Sequence, residues 1–402
     1  MNFFHYEIPP TAGLPLHISD FLPRAHSFEK KLSQFIGVDE VQIECSATAA
    51  LVITLLSLKK LSHKKKVIIS EYTCPWVPIA IIHCGLIPVV SDSKKEHFDF
   101  DLKKLHAALD QDVLAVIPTH LAGKIADIKK ILPLAKKNNI YVIEDAAQAL
   151  GARIKNQSVG LLGDIGVFSL GVGKGLSIFA GGLIVAKNKR LFSHIQKTSS
   201  SMVQNNYLLE LRRNIELVFY YIFYRPSLLR FVFGIKLRHY LKENDFIKAA
   251  GDDCSFSFPI HRVGDYRKKI GANAIDRLNT FLQINREKAI SRMKVLEEIK
   301  DLKVLSTKQI YETWPFIVLL MPSEKIRDQI INDLWPKSLG VGRLFIECIS
   351  NYTYLKPYFE KKDLPAGKDF AARTMIISNS DWLTDKHFNE IRRVLNLHLA
   401  KT

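Results

Sequence analysis

The sequence is poor in the features that mark secreted and zinc-binding chains. It has only five cysteines in 402 residues, an odd number, and no two of them form a C-x-x-C pair. This argues against a disulfide framework and a thiolate zinc site, so no metal is expected. The first twenty residues lack a basic start and a continuous apolar stretch. We therefore expect no secretory signal, a chain that begins at Met1 and a cytoplasmic location.

Long apolar runs are also scarce. The run that raises the membrane question, residues 217–224, stops at Arg225, and Arg230 follows soon after. A membrane span needs about 20 apolar residues, and each central arginine costs roughly 2.5–3.5 kcal/mol on insertion scales. We expect no membrane-spanning helix.

Acidic residues are outnumbered, with 40 Asp and Glu against 57 Lys and Arg and a formal net charge of +17. Such a surplus attracts phosphates, nucleic acids or an anionic membrane surface. The lysine clusters are scattered, and no motif interleaves basic and aromatic residues at the spacing of a nucleic-acid module. We expect a solvated basic surface and no nucleic-acid partner.

The remaining composition is globular, and the length predicts two or three domains. Short apolar runs alternate with helical patterns from about residue 34 to residue 187, as in a mostly parallel sheet covered by helices. The predicted strands are residues 67–69, 88–90, 113–117, 141–143 and 183–186, and the helices include residues 47–58 and 125–138.

Three regions follow from these patterns. Residues 1–200 form the large α/β domain, and residues 201–250 form a helical segment rich in aromatic and basic residues. Residues 251–402 contain a long helix at 269–299 and a smaller α+β unit that begins near residue 314.

A strand that ends in acid is the first chemical signal. Residues 141–152 read YVIEDAAQALGA, so Asp145 leaves the carboxyl end of the strand. Ligands of parallel α/β sheets bind at this edge. If this segment stood alone, a strand-end cap would be the favoured interpretation of Asp145.

The glycine-rich segment 163–176 reads GDIGVFSLGVGKGL and does not fit the common nucleotide loops. A phosphate loop needs a glycine at Phe168 and a hydroxyl at Gly175, and the dinucleotide pattern needs a glycine at Leu176. None of these three residues fits the motif that requires it, so neither nucleotide loop is present in this segment.

A single lysine in such a turn, downstream of an acid at a strand end, instead suits pyridoxal phosphate. Lys174 can form a Schiff base with the cofactor's aldehyde, while Asp145 keeps the pyridine nitrogen protonated. The ring then accepts electrons released at the substrate carbon.

Several ordered motifs resemble one family. They are EDAAQALGA at 144–152, GDIGVFS at 163–169 with Lys174 five residues later, GG at 181–182, SATAAL at 46–51, LGVG at 339–342 and the tail at 372–384. They resemble the DegT/DnrJ/EryC1/StrS family of pyridoxal-phosphate-dependent sugar aminotransferases. The resemblance implies fold type I, the aspartate-aminotransferase fold, with a mostly parallel central sheet between helices and a smaller C-terminal α+β domain.

The resemblance also implies roles for the cofactor site. Lys174 holds the cofactor covalently and moves protons, Asp145 pairs with the ring nitrogen, and Gln148 lies beside the ring hydroxyl. The phosphate is bound by Ser169 and by Ala47 and Thr48 at a helix start. The family's stacking aromatic falls on Cys74 here, which leaves Trp76 or Tyr72 as the substitute.

Other positions are candidates for the substrate or for contact across subunits. His120 follows a strand on the same side as Asp145, although a lone histidine is more often structural. Arg343 matches a substrate-facing stretch and is equally explained as a surface arginine. Arg262 matches the arginine that reaches the partner's site, which implies a homodimer with shared active sites.

Three departures from the family are visible. The family's Phe-His pair before the lysine is Leu170-Gly171 here, its glutamate near the paired glycines is Ala180, and its asparagine before Arg262 is Ile260. These changes leave open a catalytically degenerate member with a binding or regulatory role.

The resemblance implies transamination from an amino acid, often glutamate, to a keto-sugar that is typically nucleotide-linked, in polysaccharide or glycoconjugate biosynthesis. The segment 207–242 does not match the family. It has seven Lys and Arg against two Glu and holds nine Phe and Tyr. It is expected either to pack on the protein or to contact a membrane surface, where the enzyme could use a lipid-linked sugar.

Overall fold

A computed structural model describes residues 6–23, 27–306 and 311–400. The expected start at Met1 and the outer limits of the first and last predicted domains lie outside these residues. The predicted boundaries at residues 200 and 250 stay predictions.

The strands, numbered in chain order, belong to three sheets. They are β1 (Gln42–Glu44), β2 (Lys66–Ser70), β3 (Ile87–Ser91), β4 (Val113–Ile117), β5 (Tyr141–Asp145), β6 (Arg153–Ile154), β7 (Gln157–Ser158), β8 (Ile165–Ser169), β9 (Gly182–Val185), β10 (Lys303–Val304), β11 (Phe316–Leu320), β12 (Val341–Gly342) and β13 (Thr374–Ser378).

The α-helices are numbered in the same way. They are α1 (Phe28–Ile36), α2 (Ala47–Leu61), α3 (Trp76–His83), α4 (Leu102–Ala108), α5 (Ile128–Lys137), α6 (Lys189–Met202), α7 (Tyr207–Phe223), α8 (Pro226–Leu229), α9 (Ile235–Lys242), α10 (Phe246–Ala250), α11 (Asp265–Ala274), α12 (Leu278–Glu297), α13 (Glu324–Leu334), α14 (Pro365–Arg373) and α15 (Asp385–Leu399). A π-helical turn, Arg230–Gly234, joins α8 to α9, and short 3₁₀ turns lie at Ile18–Phe21, Leu121–Gly123, Ile275–Arg277, Trp335–Lys337, Ile349–Asn351 and Lys356–Tyr358.

The large sheet has seven strands in the order β1-β9-β8-β5-β4-β2-β3. The central neighbours from β8 to β3 are parallel, while β9 pairs antiparallel with both β8 and β1. Helices α2, α3 and α6 contribute to the core on one side of this sheet, and α5 contributes to a separate cluster. The predicted mostly parallel sheet is confirmed.

The second sheet is antiparallel, in the order β10-β11-β13-β12. Its strands pack with α12, α13 and α15 in a core of their own. The first predicted strand of the C-terminal unit is β11, so the α+β prediction for this region is confirmed.

The segment 207–242 is helical, as predicted, and it breaks after Tyr224. Glu210 anchors its start, because its carboxylate accepts hydrogen bonds from His261 Nε2 at 2.8 Å, from the Gly264 N–H at 2.8 Å and from Arg267. Among the described residues, no helix is both long and apolar enough to span a bilayer.

Candidate active site

Two neighbouring strands end in polar residues at the same edge of the sheet. The parallel strands β5 and β8 end at Asp145 and Ser169, respectively. Parallel strands present their carboxyl ends together, so these side chains emerge side by side. This edge is where the candidate site lies.

An inner cavity of about 250 Å³ opens at this edge. Six of the site residues predicted from the sequence line it: Ala47, Thr48, Trp76, Asp145, Ser169 and Lys174. The structure thus brings together side chains that are up to about 130 positions apart in the chain.

One end of the inner cavity is the start of α2. Ser46 caps this helix, since its Oγ accepts a hydrogen bond from the Ala49 N–H at 3.0 Å. The N–H groups of Ala47 and Thr48 in the first turn have no intrahelical acceptor, and the helix dipole favours an anion there. A Cβ on Gly182 would lie 2.1 Å from the Ser46 carbonyl oxygen, so only glycine lets β9 approach this turn so closely.

Asp145 supplies a buried carboxylate to the same cavity. Its Oδ1 accepts a hydrogen bond from the Ala147 N–H at 3.1 Å, and its Oδ2 lies 3.4 Å from the hydroxyl of Thr119. Burial raises the pKa of Asp145, while the Ala147 hydrogen bond and the charge of Lys174 oppose that rise. Such a carboxylate is suited to a cationic partner.

Lys174 stands in a tight turn between β8 and β9. The turn is closed by a 3.3 Å hydrogen bond from the Lys174 N–H to the Gly171 oxygen. The N-terminal segment crosses it, with the Leu14 N–H donating to the Gly175 oxygen at 3.1 Å. Desolvation lowers the pKa of Lys174, which favours the neutral, nucleophilic amine.

An outer cavity of about 430 Å³ lies on the other side of Lys174. Trp76, Gln148 and Arg343 also line it. The Oε1 atom of Gln148 accepts a hydrogen bond from the Ala122 N–H at 2.7 Å, which fixes the amide orientation. Lys174 and Trp76 border both cavities and therefore stand between them.

Asp252 is a wall residue of the outer cavity that the sequence analysis missed. Its Oδ2 accepts hydrogen bonds from Tyr352 at 2.6 Å and from the Ile346 N–H at 2.8 Å, and burial raises its pKa. Asp252 follows Gly251, which ends α10 in the left-handed region. A lone Gly-Asp pair after a helix carries no motif, so no sequence signal marked this carboxylate.

The two candidates for the aromatic residue that stacks on the cofactor, Trp76 and Tyr72, lie in different surroundings. Trp76 begins α3, lines both cavities and makes an edge contact with Phe258 at 5.9 Å between ring centroids. Tyr72 lines neither cavity, since its ring packs against Phe345 and Phe370 in a hydrophobic cluster. Of the two substitutes, only Trp76 is placed to face a ligand.

His120, a candidate for contact with the substrate, has the contacts of a structural residue. His120 is fully buried, and its Nδ1 accepts a hydrogen bond from the Ala126 N–H at 3.0 Å. Its Nε2 therefore donates to Glu144 at 2.8 Å. Successive side chains of a strand point to opposite faces, so the bond to Glu144 places the His120 ring on the other face from the Asp145 side chain, although the His120 N–H donates to the Asp145 backbone oxygen at 2.9 Å.

The two arginine candidates lie in different places. Arg343 borders the outer cavity, and its guanidinium donates to the Ile346 oxygen. Arg262 is exposed and lines neither cavity of its own chain. Its backbone N–H donates to the Gln204 oxygen at 2.9 Å.

The donor set of the inner cavity fits pyridoxal phosphate. The start of α2 and the Ser169 hydroxyl can bind a phosphate, Asp145 can face a protonated ring nitrogen, and Lys174 can bind an aldehyde. Among the described residues, no group of His, Cys, Asp and Glu could hold a metal ion.

The comparison with family models agrees with this geometry. The model described as the DegT/DnrJ/EryC1/StrS aminotransferase family matches residues 18–214, which include every residue of the inner cavity. Over these residues, about half of its length, the chain matches this family. The match ends within α7, so most of the segment 207–242 lies beyond it.

Relatives and solved structures extend the comparison. The chain is 36% identical over 169 residues to a UDP-N-acetyl-3-dehydro-α-D-glucosamine 3-aminotransferase of Acidithiobacillus ferrooxidans, covering 42% of this chain and 46% of that protein. It is 30% identical over 261 residues to a UDP-4-amino-4,6-dideoxy-N-acetyl-β-L-altrosamine transaminase of Campylobacter jejuni, covering 61% and 66%. The chain spans about half the length of most of the curated relatives it matches.

One solved structure, a putative sugar aminotransferase of Streptococcus pneumoniae in its PLP form, has a TM-score of 0.76. The alignment covers 98% of this chain and 99% of that chain at 17% identity. The predicted fold type I architecture is thereby confirmed for the chain.

Proposed function

We propose that the chain is a pyridoxal-phosphate-dependent aminotransferase. It moves an amino group from an amino acid such as glutamate to a nucleotide-linked keto-sugar in polysaccharide or glycoconjugate biosynthesis. The observation that carries this proposal is the inner cavity, where Lys174, Asp145 and the start of α2 face one another. The names of the relatives, which are nucleotide-sugar transaminases, support the same substrate class.

Each residue of the inner cavity has a defined task in this proposal. The N–H groups at the start of α2 and the hydroxyls of Thr48 and Ser169 bind the phosphate. Asp145 holds a proton at the ring nitrogen, and the cofactor, when bound, supplies a ring that accepts electrons from the substrate carbon. Trp76 limits the position of the ring from the side of α3.

Lys174 acts at the substrate carbon. Its neutral amine would attach the cofactor and, once released, would carry the proton from the donor carbon to the cofactor carbon that had held the aldehyde. Desolvation supports this task because it lowers the pKa of Lys174 toward working pH. Gln148 keeps the role beside the ring hydroxyl that the resemblance implies. Asp252 and Arg343 border the outer cavity, where Asp252 can bind sugar hydroxyls and Arg343 can bind anionic groups.

A non-catalytic member is not favoured. Lys174 and Asp145 line the same cavity despite the departures from the family at Leu170, Gly171, Ala180 and Ile260. A protein that had lost the chemistry would have no requirement for a desolvated lysine beside a buried carboxylate.

The proposal is tested with purified protein loaded with pyridoxal phosphate and mixed with glutamate. We expect loss of the visible absorption band of the lysine-bound cofactor and one equivalent of 2-oxoglutarate. Asp145→Asn should keep part of the cofactor and slow this half-reaction by orders of magnitude, since an amide cannot hold the ring proton by charge. A wild-type protein that binds the cofactor but gives no oxo acid with any amino donor would refute the proposal.

We also propose a homodimer in which Arg262 reaches the partner's site. The support is the family resemblance together with the exposure of Arg262 and its absence from the cavities of its own chain. The segment before it is anchored through the bond between His261 and Glu210, so Arg262 extends from a fixed base.

We further propose that the segment 207–242 contacts an anionic membrane on the cytoplasmic side. Large apolar side chains on α7 recur at helical spacing and are at least 41% exposed: Leu208, Leu211, Ile215, Phe219 and Ile222. Exposed basic residues such as Arg225 and Lys236 flank this apolar face. An amphipathic surface of this kind binds at a membrane interface.

Co-sedimentation with anionic and neutral vesicles tests the membrane contact. We expect binding to anionic vesicles at low salt, and weaker binding for Arg225→Gln combined with Lys236→Gln. Arg238 is left intact because it forms a 2.7 Å ion pair with the buried Glu7. Wild-type protein that remains in the supernatant with anionic vesicles would exclude the contact.

A further inference from the structure

A third cavity, here called the side cavity, adjoins the outer cavity at the turn that carries Lys174. It has a volume of about 400 Å³, within the range of small-molecule sites. Thr11, Val172, Gly173 and Phe233 form part of the wall of both cavities. A ligand bound beside Lys174 could therefore extend into the side cavity without leaving the protein.

The side cavity is apolar. Four aromatic rings on α7 and at its end, Phe219, Tyr220, Phe223 and Tyr224, form one wall, and Leu229 and Val232 form another. Glu216 is the one charged residue among the described lining residues, and its carboxylate is paired with Arg212 and Arg213. An apolar wall of this kind favours a hydrocarbon over a sugar or a phosphate.

The cavity exists where the chain departs from the family. Gly173 has a φ of +72°, and a Cβ there would lie 2.3 Å from Thr11 Oγ1 and 3.3 Å from Tyr224 Oη. The family's Phe-His pair is replaced in this same turn, and the cavity-lining residues of α7 lie beyond the part of the chain that matches the family. The two departures thus meet in space and form one wall together.

The mouth of the side cavity opens onto the exposed apolar face of α7. Phe219 and Val232 at the mouth are 54% and 47% exposed. Ile215 and Ile222, one turn away from Phe219, are 50% and 41% exposed. A chain longer than the cavity would therefore emerge onto an apolar surface rather than into water.

We propose that the side cavity binds a hydrocarbon chain carried by the amino acceptor, whose carbonyl carbon lies beside Lys174. This inference depends on the aminotransferase function proposed above. The chain is an acyl substituent on the sugar or an isoprenoid carrier, which share the same apolar chemistry. No bond is made or broken in the side cavity, which acts on affinity and on positioning.

Calorimetric titration of the cofactor-loaded protein tests this inference with four probes below their aggregation concentrations. Octyl glucoside represents the acyl source and geranyl phosphate the isoprenoid source, with glucose and inorganic phosphate as the matched head groups. We expect at least one chain-bearing probe to bind more than ten-fold more tightly than its head group. The probe that binds more tightly identifies the source.

Two variants at the mouth of the side cavity test whether the chain-bearing probe binds there. Val232→Trp narrows the opening and Phe219→Lys adds a charge, and both positions are exposed enough to accept the change. Each variant should lower the affinity for the chain-bearing probe more than ten-fold. The matched control Ile215→Trp, on the same face but outside the cavity, should leave this affinity unchanged. Conversion of the cofactor by glutamate should be unchanged in all three.

Two results would overturn the inference. One is that neither chain-bearing probe binds to the wild type more tightly than its head group does, or that the mouth variants bind the chain-bearing probe as tightly as the wild type does. The other is that Val232→Trp dissociates a dimer, which would show that a second copy fills the cavity. Conversion of the cofactor by glutamate tests the aminotransferase function separately. Failure of that function can therefore be distinguished from failure of the side-cavity inference.

Discussion

Tyr224 donates a hydrogen bond from its hydroxyl group to the backbone oxygen of Thr11 at 3.3 Å. This contact joins the end of α7 to the N-terminal segment, and both lie against Gly173, the residue before Lys174. The end of α7, which lies beyond the family match, is thus fixed directly to the turn that carries the proposed catalytic lysine.

Tyr224→Phe tests the strength of this connection. The change removes the hydroxyl and keeps the ring, so we expect the free energy of unfolding to fall by about 1 kcal/mol. Chemical denaturation is the measurement. Tyr221→Phe is the control, because the Tyr221 hydroxyl has no hydrogen-bond partner among the described residues, and an equal loss in both variants would contradict the role of the Tyr224 bond.

The buried amine of Lys174 predicts a pH dependence of the cofactor-free protein. Its folded pKa is below the unfolded value of 10.5, so protonation in the folded state costs stability at neutral pH. Lys174→Met should be more stable than the wild type near pH 7, with the difference shrinking as the pH rises toward 10.5. Denaturation from pH 7 to pH 10 measures this, and a pH-independent difference would contradict it.

Glu210 should be the main anchor of α7. Burial alone would raise the pKa of Glu210, and the hydrogen bonds from His261 and Arg267 outweigh burial and lower it to about 2. Its stabilisation is therefore complete above the unfolded pKa of 4.5 and is lost as the pH falls toward 2.

Glu210→Gln should lower the free energy of unfolding by roughly 3 kcal/mol at pH 7, as expected when one partner of a buried pair is removed. Glu216→Gln is the matched control on the same helix. Its pairs are more exposed, so about 1 kcal/mol or less is expected. Equal losses at pH 7, or a Glu210 effect unchanged at pH 3, would refute this role.

The sequence predicted the sheet well because its strands are buried on both faces and form continuous apolar runs. Strands β2 to β5 contain the predicted residues, and Asp145 was located by the end of such a run. Asp145 and Lys174 were identified because their chemistry requires these residue types, whatever their neighbours are.

The remaining features depend on tertiary contacts that a local pattern does not encode. The two alternatives for His120 could not be separated from the sequence, because only the structure shows that Glu144 and Ala126 occupy its ring nitrogens. Asp252 was missed because it joins the site through Tyr352, 100 positions away. The predicted helix at 269–299 begins earlier and is divided by a 3₁₀ turn, Ile275–Arg277, that the hydrophobic pattern did not reveal.

The shared active site of the proposed dimer is tested by complementation. Lys174→Ala and Arg262→Ala are each expected to abolish or strongly reduce turnover. In a mixed dimer both lesions can fall in one site, which leaves the other site whole. We expect partial recovery of activity after subunit exchange, and no recovery in subunits shown to exchange would exclude the crossing role of Arg262.

The identity of the lysine that binds the cofactor is the central claim of this account. Borohydride reduction of the protein loaded with pyridoxal phosphate, followed by mass spectrometry of its peptides, tests it most directly. We predict one reduced cofactor per chain, attached to the peptide that contains Lys174, and none in Lys174→Ala, whereas Lys187→Ala should match the wild type. Attachment at another lysine, or no attachment in the wild type, would contradict the account.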